Sequence, residues 1–349
     1  MTRFVQLHIL TAYGAANLNR DDTGRPKTLT FGGAERLRIS SQSLKRAFRE
    51  SEAFATTLAG AIGSRSQRFM GELIAGLEAR GLSREDAVAR AGVVVTDNKL
   101  GKLKGEAQTE QLVHLGPDEL ARIAALVDEL VADPSLKGPP VLSEKPRAAD
   151  IAMFGRMLAD NTRHNVEAAV QVAHAFTTHR VAVEDDYYTA VDDLKDPDID
   201  AGAGFIGVQY YGAGLFYLYV CIDADLLLAN LSGERSLAAD TIEALIRAAC
   251  TVGPTGKQNA FASRAKALYV LQEIGEDAPR SLAAAFQHPV GARRGEADPQ
   301  AASIERLGSL RAGYAQAYGE AFATQELDVA AGKGSLADLI AAARALYAG

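Results

Sequence analysis

Three stretches have the length and patterning of β-strands, and they lie far apart along the chain. RFVQLHILT (3–11) alternates Val5, Leu7 and Ile9 with polar Gln6 and His8. LFYLYVCID (215–223) is apolar almost throughout, and KALYVLQEI (266–274) follows a helix-patterned segment with Ile242, Leu245, Ile246 and Ala249 facing inward. A fourth, short strand fits 36–39. So few strands, separated by such unlike insertions, cannot build a doubly wound parallel sheet. They predict an α+β chain: a small sheet with helices on one face, in an RRM-like (ferredoxin-like) order.

The intervening segments carry other signals. Residues 52–164 read as mostly helical. The clearest helix begins at Pro117, with Asp118 and Glu119 in its first turn and Leu120, Ile123, Val127, Leu130 and Val131 as its apolar stripe. Val166, Ala169, Val170 and Ala173 predict a further helix over 163–176. Residues 187–213 lack helical periodicity and read as a long loop or a β-hairpin excursion. Helices are expected around 301–322 and 335–347.

Composition excludes several classes. With 349 residues and 48% hydrophobic content, the chain is long enough and apolar enough for a sizeable core. Its longest apolar run, Leu215 to Ile222, is too short to span a bilayer, and the N-terminus lacks signal-peptide architecture. Two cysteines, Cys221 and Cys250, exclude a disulfide framework and a multi-cysteine zinc site. A soluble protein of a reducing compartment, the cytoplasm, is expected.

The net charge of −7 argues against indiscriminate nucleic-acid binding, but the charge is badly mixed. Eight carboxylates and one lysine occupy 184–200, so the rest of the chain is neutral overall. Seven cations and only Glu35 occupy 25–49. Screening confines such a field to about 10 Å, so a local basic patch attracts a polyanion whatever the distant total.

Most motifs do not survive their context. GAGFIG (Gly202, Gly204, Gly207) lacks the preceding strand and following helix that a dinucleotide site requires, and it reads as loop. GPTGK (253–257) lacks Walker spacing, although its glycines and the donors Lys257 and Gln258 suit a phosphate. His174 and His179 do not form a ligand pair. Asp21 and Asp22 could ligate a metal or act as a base, but an Asx turn is the plainer reading. RISSQSLKRAFR (38–49) is the strongest candidate. Ser40 and Ser41 suit a helix N-cap, whose free amides and dipole favour phosphate. Lys45 and Arg49 share a helical face, with Arg46 beside them. Such an array follows a sugar–phosphate backbone without reading bases.

LNRDD (18–22), FGGAERLRISSQSLKRAFR (31–49), DIAMFGRM (150–157), AHAFTTHRV (173–181), YYTAVDDL (187–194), GAGLFYLYVCID (212–223) and PTGKQNAF (254–261) together resemble the CasC family, the crRNA-binding backbone subunits of the type I-E CRISPR Cascade complex. The resemblance implies a hand-shaped, non-catalytic subunit in antiviral defence, without cofactor or metal. Residues 1–51, 165–186 and 214–349 would form the palm, with C-terminal helices; 52–164 would form the fingers and 187–213 the thumb. Copies would stack head to tail along guide crRNA beside other Cascade subunits and present it to single-stranded target DNA, without a membrane partner. Carried over, Arg20, Lys27, Arg38, Ser40, Ser41, Gln42, Ser43, Lys45, Arg46, Arg49, Lys257 and Gln258 become RNA-backbone contacts. Met157 and Ile206, beside Phe205, become wedges against bases. Ala34 stands where a more basic stretch is expected, and RRM-type stacking aromatics are missing. Two other readings stay open: a metal-dependent endoribonuclease using Asp21 or Asp22, and a protein-only assembly module.

Overall fold

The computed structural model describes residues 2–105, 108–133, 135–190, 205–291 and 298–348. In chain order the elements used below are β1 (Phe4–Ala16), β2 (Thr28–Phe31), β3 (Ala34–Ile39) and α1 (Ser41–Arg49). An insertion contributes α2 (Gly71–Ala79), α3 (Arg84–Asp97), α4 (Pro117–Ala132) and α5 (Ala149–Phe154). Then come β4 (Val170–Val172), β5 (Ala175–Thr177), β6 (Glu184–Ala190), β7 (Phe205–Asp223), α6 (Arg235–Thr251), β8 (Tyr269–Gly275), α7 (Pro299–Tyr318), β9 (Ala323–Asp328) and α8 (Leu336–Arg344).

These strands form one antiparallel sheet in the order β9-β8-β1-β7-β5-β3-β2, with β4 and β6 also paired to β7. Its centre, β8-β1-β7 followed by β4 and β5, with α1 after β1 and α6 after β7, has the topology of an RRM-like fold. Long-range register fixes it. Phe4 stands opposite both Asp223 and Gly275, although more than 200 residues separate it from either.

The sheet is covered on both faces, not on one. Val5, Leu7 and Ile9 point into a core with Leu44 and Phe48 of α1 and Ile242, Leu245 and Ile246 of α6. The other face of β1 does not meet solvent. Leu10, Tyr217, Tyr269 and Leu271 pack under Leu282, Phe286 and Leu307, which belong to the segment before α7 and to α7 itself. Polar Gln6 and His8 are buried there, His8 with both ring nitrogens paired and Gln6 paired through its Oε1. Tyr219 OH donates to Gln6 Oε1 at 2.7 Å, and His8 lies 2.9 Å from Tyr217 OH and 3.1 Å from Glu273. The alternation of β1 is therefore a change of layer, not a change from core to water.

Other expectations need correction. Residues 163–176 are not a helix: a 3₁₀ turn at Thr162–His164 precedes β4 and β5, and Val170 and Val172 point inward on either side of exposed Gln171. So short an apolar run fits either period, and pairing with β7 decides it. The excursion is a hairpin of β6 and the outer part of β7, and Gly207 lies within a strand. Residues 191–204 lie outside the described residues, with Gly202, Gly204 and most of the acidic run. Helix α7 starts at Pro299, two residues before 301, capped by Asp298, and it stops at Gly319 with φ +73°. Edge strand β9 has no buried side chains and so gave no periodic signal.

The insertion has its own core, in which Leu73, Ile74 and Leu77 of α2 meet Val94 of α3 and Ile123, Leu126 and Leu130 of α4. Two short ribbons, Ser64–Ser66 with Val113–Leu115 and Leu103–Lys104 with Gln108–Thr109, complete it.

Candidate nucleic-acid interface

Ser40 caps α1, its Oγ accepting from Ser43 N at 3.3 Å, and no acidic residue occupies the first turn. The positive end of the helix dipole is therefore not neutralised locally. Loop 17–27 is fastened beside it. Asn19 Oδ1 accepts from Ser40 N at 2.9 Å, Lys27 N donates to Asn19 O at 2.8 Å, and Arg38 N donates to Lys27 O at 2.8 Å. Asn17 Nδ2 donates to Gly24 O and to Tyr210 O, and the Arg25 guanidinium lies 4.6 Å from the Tyr210 ring, which ties the loop to the hairpin base. Asp21 completes an Asx turn. Its Oδ1 accepts from Thr23 N, Thr23 Oγ1 and Arg25 N, and the Thr23 hydroxyl bond leads in holding its carboxyl below the usual range.

The 253–258 loop closes on the same loop from the other side. A Cβ on Gly256 would sit 2.4 Å from Leu18 O, and one on Gly253 would sit 2.4 Å from Tyr13 OH. Lys257 adopts φ +53° and projects into solvent. Clefts run on from one another along this seam. One lined by Asn19, Lys27 and Arg38 shares Tyr13 and Ile39 with a second under α1. The second shares Val252 and Ala265 with a third, of about 540 Å³, lined by Thr255, Gln258, Ser263, Arg264 and Lys266. The last adjoins Lys257. Arg20, Lys27, Arg38, Ser40, Lys257 and Gln258 are thus gathered around one loop. Ser41 and exposed Gln42 stand at the same helix end. Arg38 contacts His174 Nδ1 at 2.8 Å; burial first, then the charges of Arg38 and Lys27, lowers the pKa of His174 and favours its neutral form.

The far end of α1 differs. Lys45 Nζ lies 5.5 Å from the centre of the Phe154 ring, and burial lowers its pKa. Arg49 Nε donates to Asp150 Oδ2 at 2.9 Å, and Asp150 is fully buried. Asp150 also receives Gly63 N at 2.8 Å and lies 2.9 Å from His114 Nε2. Burial opposes its charge, yet His114, the Gly63 amide and Arg49 together hold its carboxyl below the usual range. Lys45 and Arg49 do share a face, but that face docks the insertion, and Arg49 is committed to an ion pair. Arg46 projects outward, paired with Glu50 at 2.8 Å.

Beyond α5, the buried pair Arg156–Glu119 anchors the chain, and Met157 follows it with 85% of its surface exposed. Phe205 and Ile206 are exposed on the hairpin, opposite Ala190 and Thr189. A strand advances about 3.4 Å per residue, so Ile206 lies roughly 17 Å beyond Tyr211 at the hairpin base. Ala34 is buried and stands opposite Phe31 in the β2–β3 ribbon. Sequence reasoning missed Asn17, Asn19, Ser263, Arg264, Lys266 and Asp150. Only the turn-forming LNRDD held a local signal for any of them.

A family model described as CT1975-like protein matches residues 5–343. The chain belongs to this family. No curated protein matches it. Among solved structures, the CT1975-like chain is similar to one named CRISPR RNA-guided surveillance complex, pre-nicking: 30% identity over 98% of this chain and 99% of that one, with a TM-score of 0.84. A chain of a second CRISPR RNA-guided surveillance complex shares 28% identity over the same proportions, with a TM-score of 0.73. Among the described residues of the CT1975-like chain, no helix is long and apolar enough to cross a membrane.

Proposed function

We propose that this chain is a non-catalytic backbone subunit of a type I-E Cascade complex, which stacks head to tail along guide crRNA and holds its phosphate backbone. The observation carrying this reading is the seam around loop 17–27. There Asn19, Gln258 and the cations Lys27, Arg38 and Lys257 line clefts beside the α1 N-terminus, the cations without a carboxylate partner among the described residues. Similarity to chains of RNA-guided surveillance complexes agrees with it. Backbone contacts carry no sequence information, so pairing between guide and single-stranded target DNA supplies specificity.

On this reading 52–164 are fingers, 187–213 a thumb and the remainder a palm in the cytoplasm. The distance of Ile206 from its own seam favours action on RNA held by a neighbouring copy, with Met157 as the wedge on the opposite side. The exposed carboxylates Glu184, Asp185 and Asp186 at the thumb base would meet a basic surface of that neighbour. Asp21 serves its turn, so the wild type and Asp21→Ala are both expected to leave target RNA uncut; periodic metal-dependent cuts by the wild type that the variant abolishes would favour a nuclease.

The direct test is affinity for single-stranded RNA against salt. About four neutralised phosphates per copy predict a log–log slope of roughly −3 per copy. A salt-independent affinity, or purified protein that never carries RNA, would contradict the proposal.

A further inference from the structure

We infer that the cleft lined by Thr255, Gln258, Ser263 and Arg264 reads the ribose 2′-hydroxyl of the bound strand, so that this subunit distinguishes RNA from DNA by itself. The inference rests on the RNA-binding reading above and adds a chemical specificity to it.

Gln258 Nε2 and Ser263 Oγ are buried, and neither has a hydrogen-bond partner in the chain. Both side chains line the same cleft. Buried polar groups are paired in the great majority of cases, so two orphans at one cleft call for a partner. The amide nitrogen can only donate, whereas the serine hydroxyl can donate or accept. A group that accepts from Gln258 and donates to Ser263 uses the capacity of both, which describes a hydroxyl. A phosphate oxygen accepts only and would leave the acceptor capacity of Ser263 unused. A 2′-hydroxyl is the one donor-and-acceptor group that every nucleotide of RNA carries and DNA lacks.

The surroundings divide the work. Lys257, Arg264 and Lys266 are exposed around the rim and suit the phosphates of either nucleic acid. The neutral pair lies inward of them, on a loop held against Leu18 and Tyr13 by Gly256 and Gly253. Rigid support is what a small polar group needs if it is to discriminate. A deoxyribose at this point leaves both groups unpaired, and sites built to bond a hydroxyl reject analogues lacking it steeply.

The test uses the full chain and a labelled oligouridylate, its 2′-deoxy counterpart and its 2′-O-methyl counterpart, at one salt concentration. The wild type should bind the ribo-oligomer at least about tenfold more tightly than the deoxy-oligomer. The 2′-O-methyl form keeps an acceptor but cannot donate, and it should bind less tightly than the ribo form. This comparison needs no variant to fold. The double variant Gln258→Leu/Ser263→Ala should lose the preference by weakening RNA binding alone, whereas Arg264→Ala/Lys266→Ala should weaken both equally. Equal wild-type affinity for RNA and DNA overturns the inference and leaves the RNA-binding reading standing. So does a preference that survives in the double variant, which would mean that ordered water satisfies the orphans. Absence of binding to any oligomer overturns both.

Discussion

The two ends of α1 carry similar basic residues and use them in opposite ways. At the C-terminal end, Arg49 meets fully buried Asp150, and Lys45 lies over Phe154, so the cations are consumed in docking the insertion. At the N-terminal end, Lys27 and Arg38 flank a capped helix start and line a small cleft without a carboxylate partner. Charge counted along the sequence does not tell structural cations from binding ones. Acidic partners do, and the partner of Arg49 lies 101 residues away.

If this contrast is right, the largest effect on stability lies at the end without a ligand. Asp150→Ala leaves Arg49 and His114 partly buried with no carboxylate. Removing one partner of a buried pair costs about 3–5 kcal/mol, and chemical denaturation should show a loss of that order. Hydrogen exchange should rise first in Ser64–Ser66 and Val113–Leu115, which Asp150 anchors through Gly63 and His114. A variant as stable as the wild type would break the comparison.

At the other end the effect should fall on binding alone. Reversing charge in Lys27→Glu/Arg38→Glu should lower RNA affinity by about a hundredfold at low salt and flatten the salt slope by roughly 1.4, while the melting temperature barely moves. Equal losses of binding and stability would mean that these cations are structural too. Gly256→Ala probes the seam between the loops. Its Cβ would stand 2.4 Å from the Leu18 carbonyl oxygen, so the loop must shift. Overpacking of this kind costs about 1–3 kcal/mol, and affinity should fall with it in a binding titration.

Why the sequence revealed one end better than the other follows from range. Ser40 as cap is a local signal, and it was legible. So were β1, β7 and α6, whose periodicities are long. The commitment of Arg49 depends on a contact that no local window contains. The second layer over the sheet was hidden for a related reason: Gln6 and His8 look like solvent-facing residues until Tyr217, Tyr219, Glu273 and Arg280 are placed against them. The 163–176 segment was misread because Val170 and Val172 fit a helical stripe as well as a strand, and only the β7 backbone settles the choice.

Acid should weaken the buried pairs, at the C-terminal end of α1 and under the sheet, and leave the open end of α1 unaffected. His8 has its pKa lowered from 6.5, with burial the leading cause. Burial pushes Glu273 up, but the bonds from His8 and Arg280 outweigh it and bring it to about 2. Asp150 is also lowered. All three are depressed, so the unfolded chain binds more protons and stability rises with pH across each window. The His8 contribution is complete above about 6.5 and the carboxylate contributions above about 4.5; each is lost as pH falls toward its folded value. Melting temperature should therefore be level near neutral pH, dip below about 6.5 and drop more steeply below about 4.5. Asp150→Ala should flatten part of the lower limb, and an unchanged limb would count against its role.

The smallest effect belongs to Arg46, the cation between the two ends. It is exposed and pairs with Glu50 one turn along α1. Exposed i,i+4 pairs contribute little, so Arg46→Ala should shift the melting temperature by no more than about 1 °C. Any effect it has must then appear in binding. If RNA reaches past the middle of α1, the variant weakens RNA binding and reduces the salt slope by about 0.7, because Glu50 competes only weakly with a phosphate. If RNA stays at the N-terminal seam, the slope does not move. This substitution therefore measures how far along the helix the boundary between binding cations and structural cations falls.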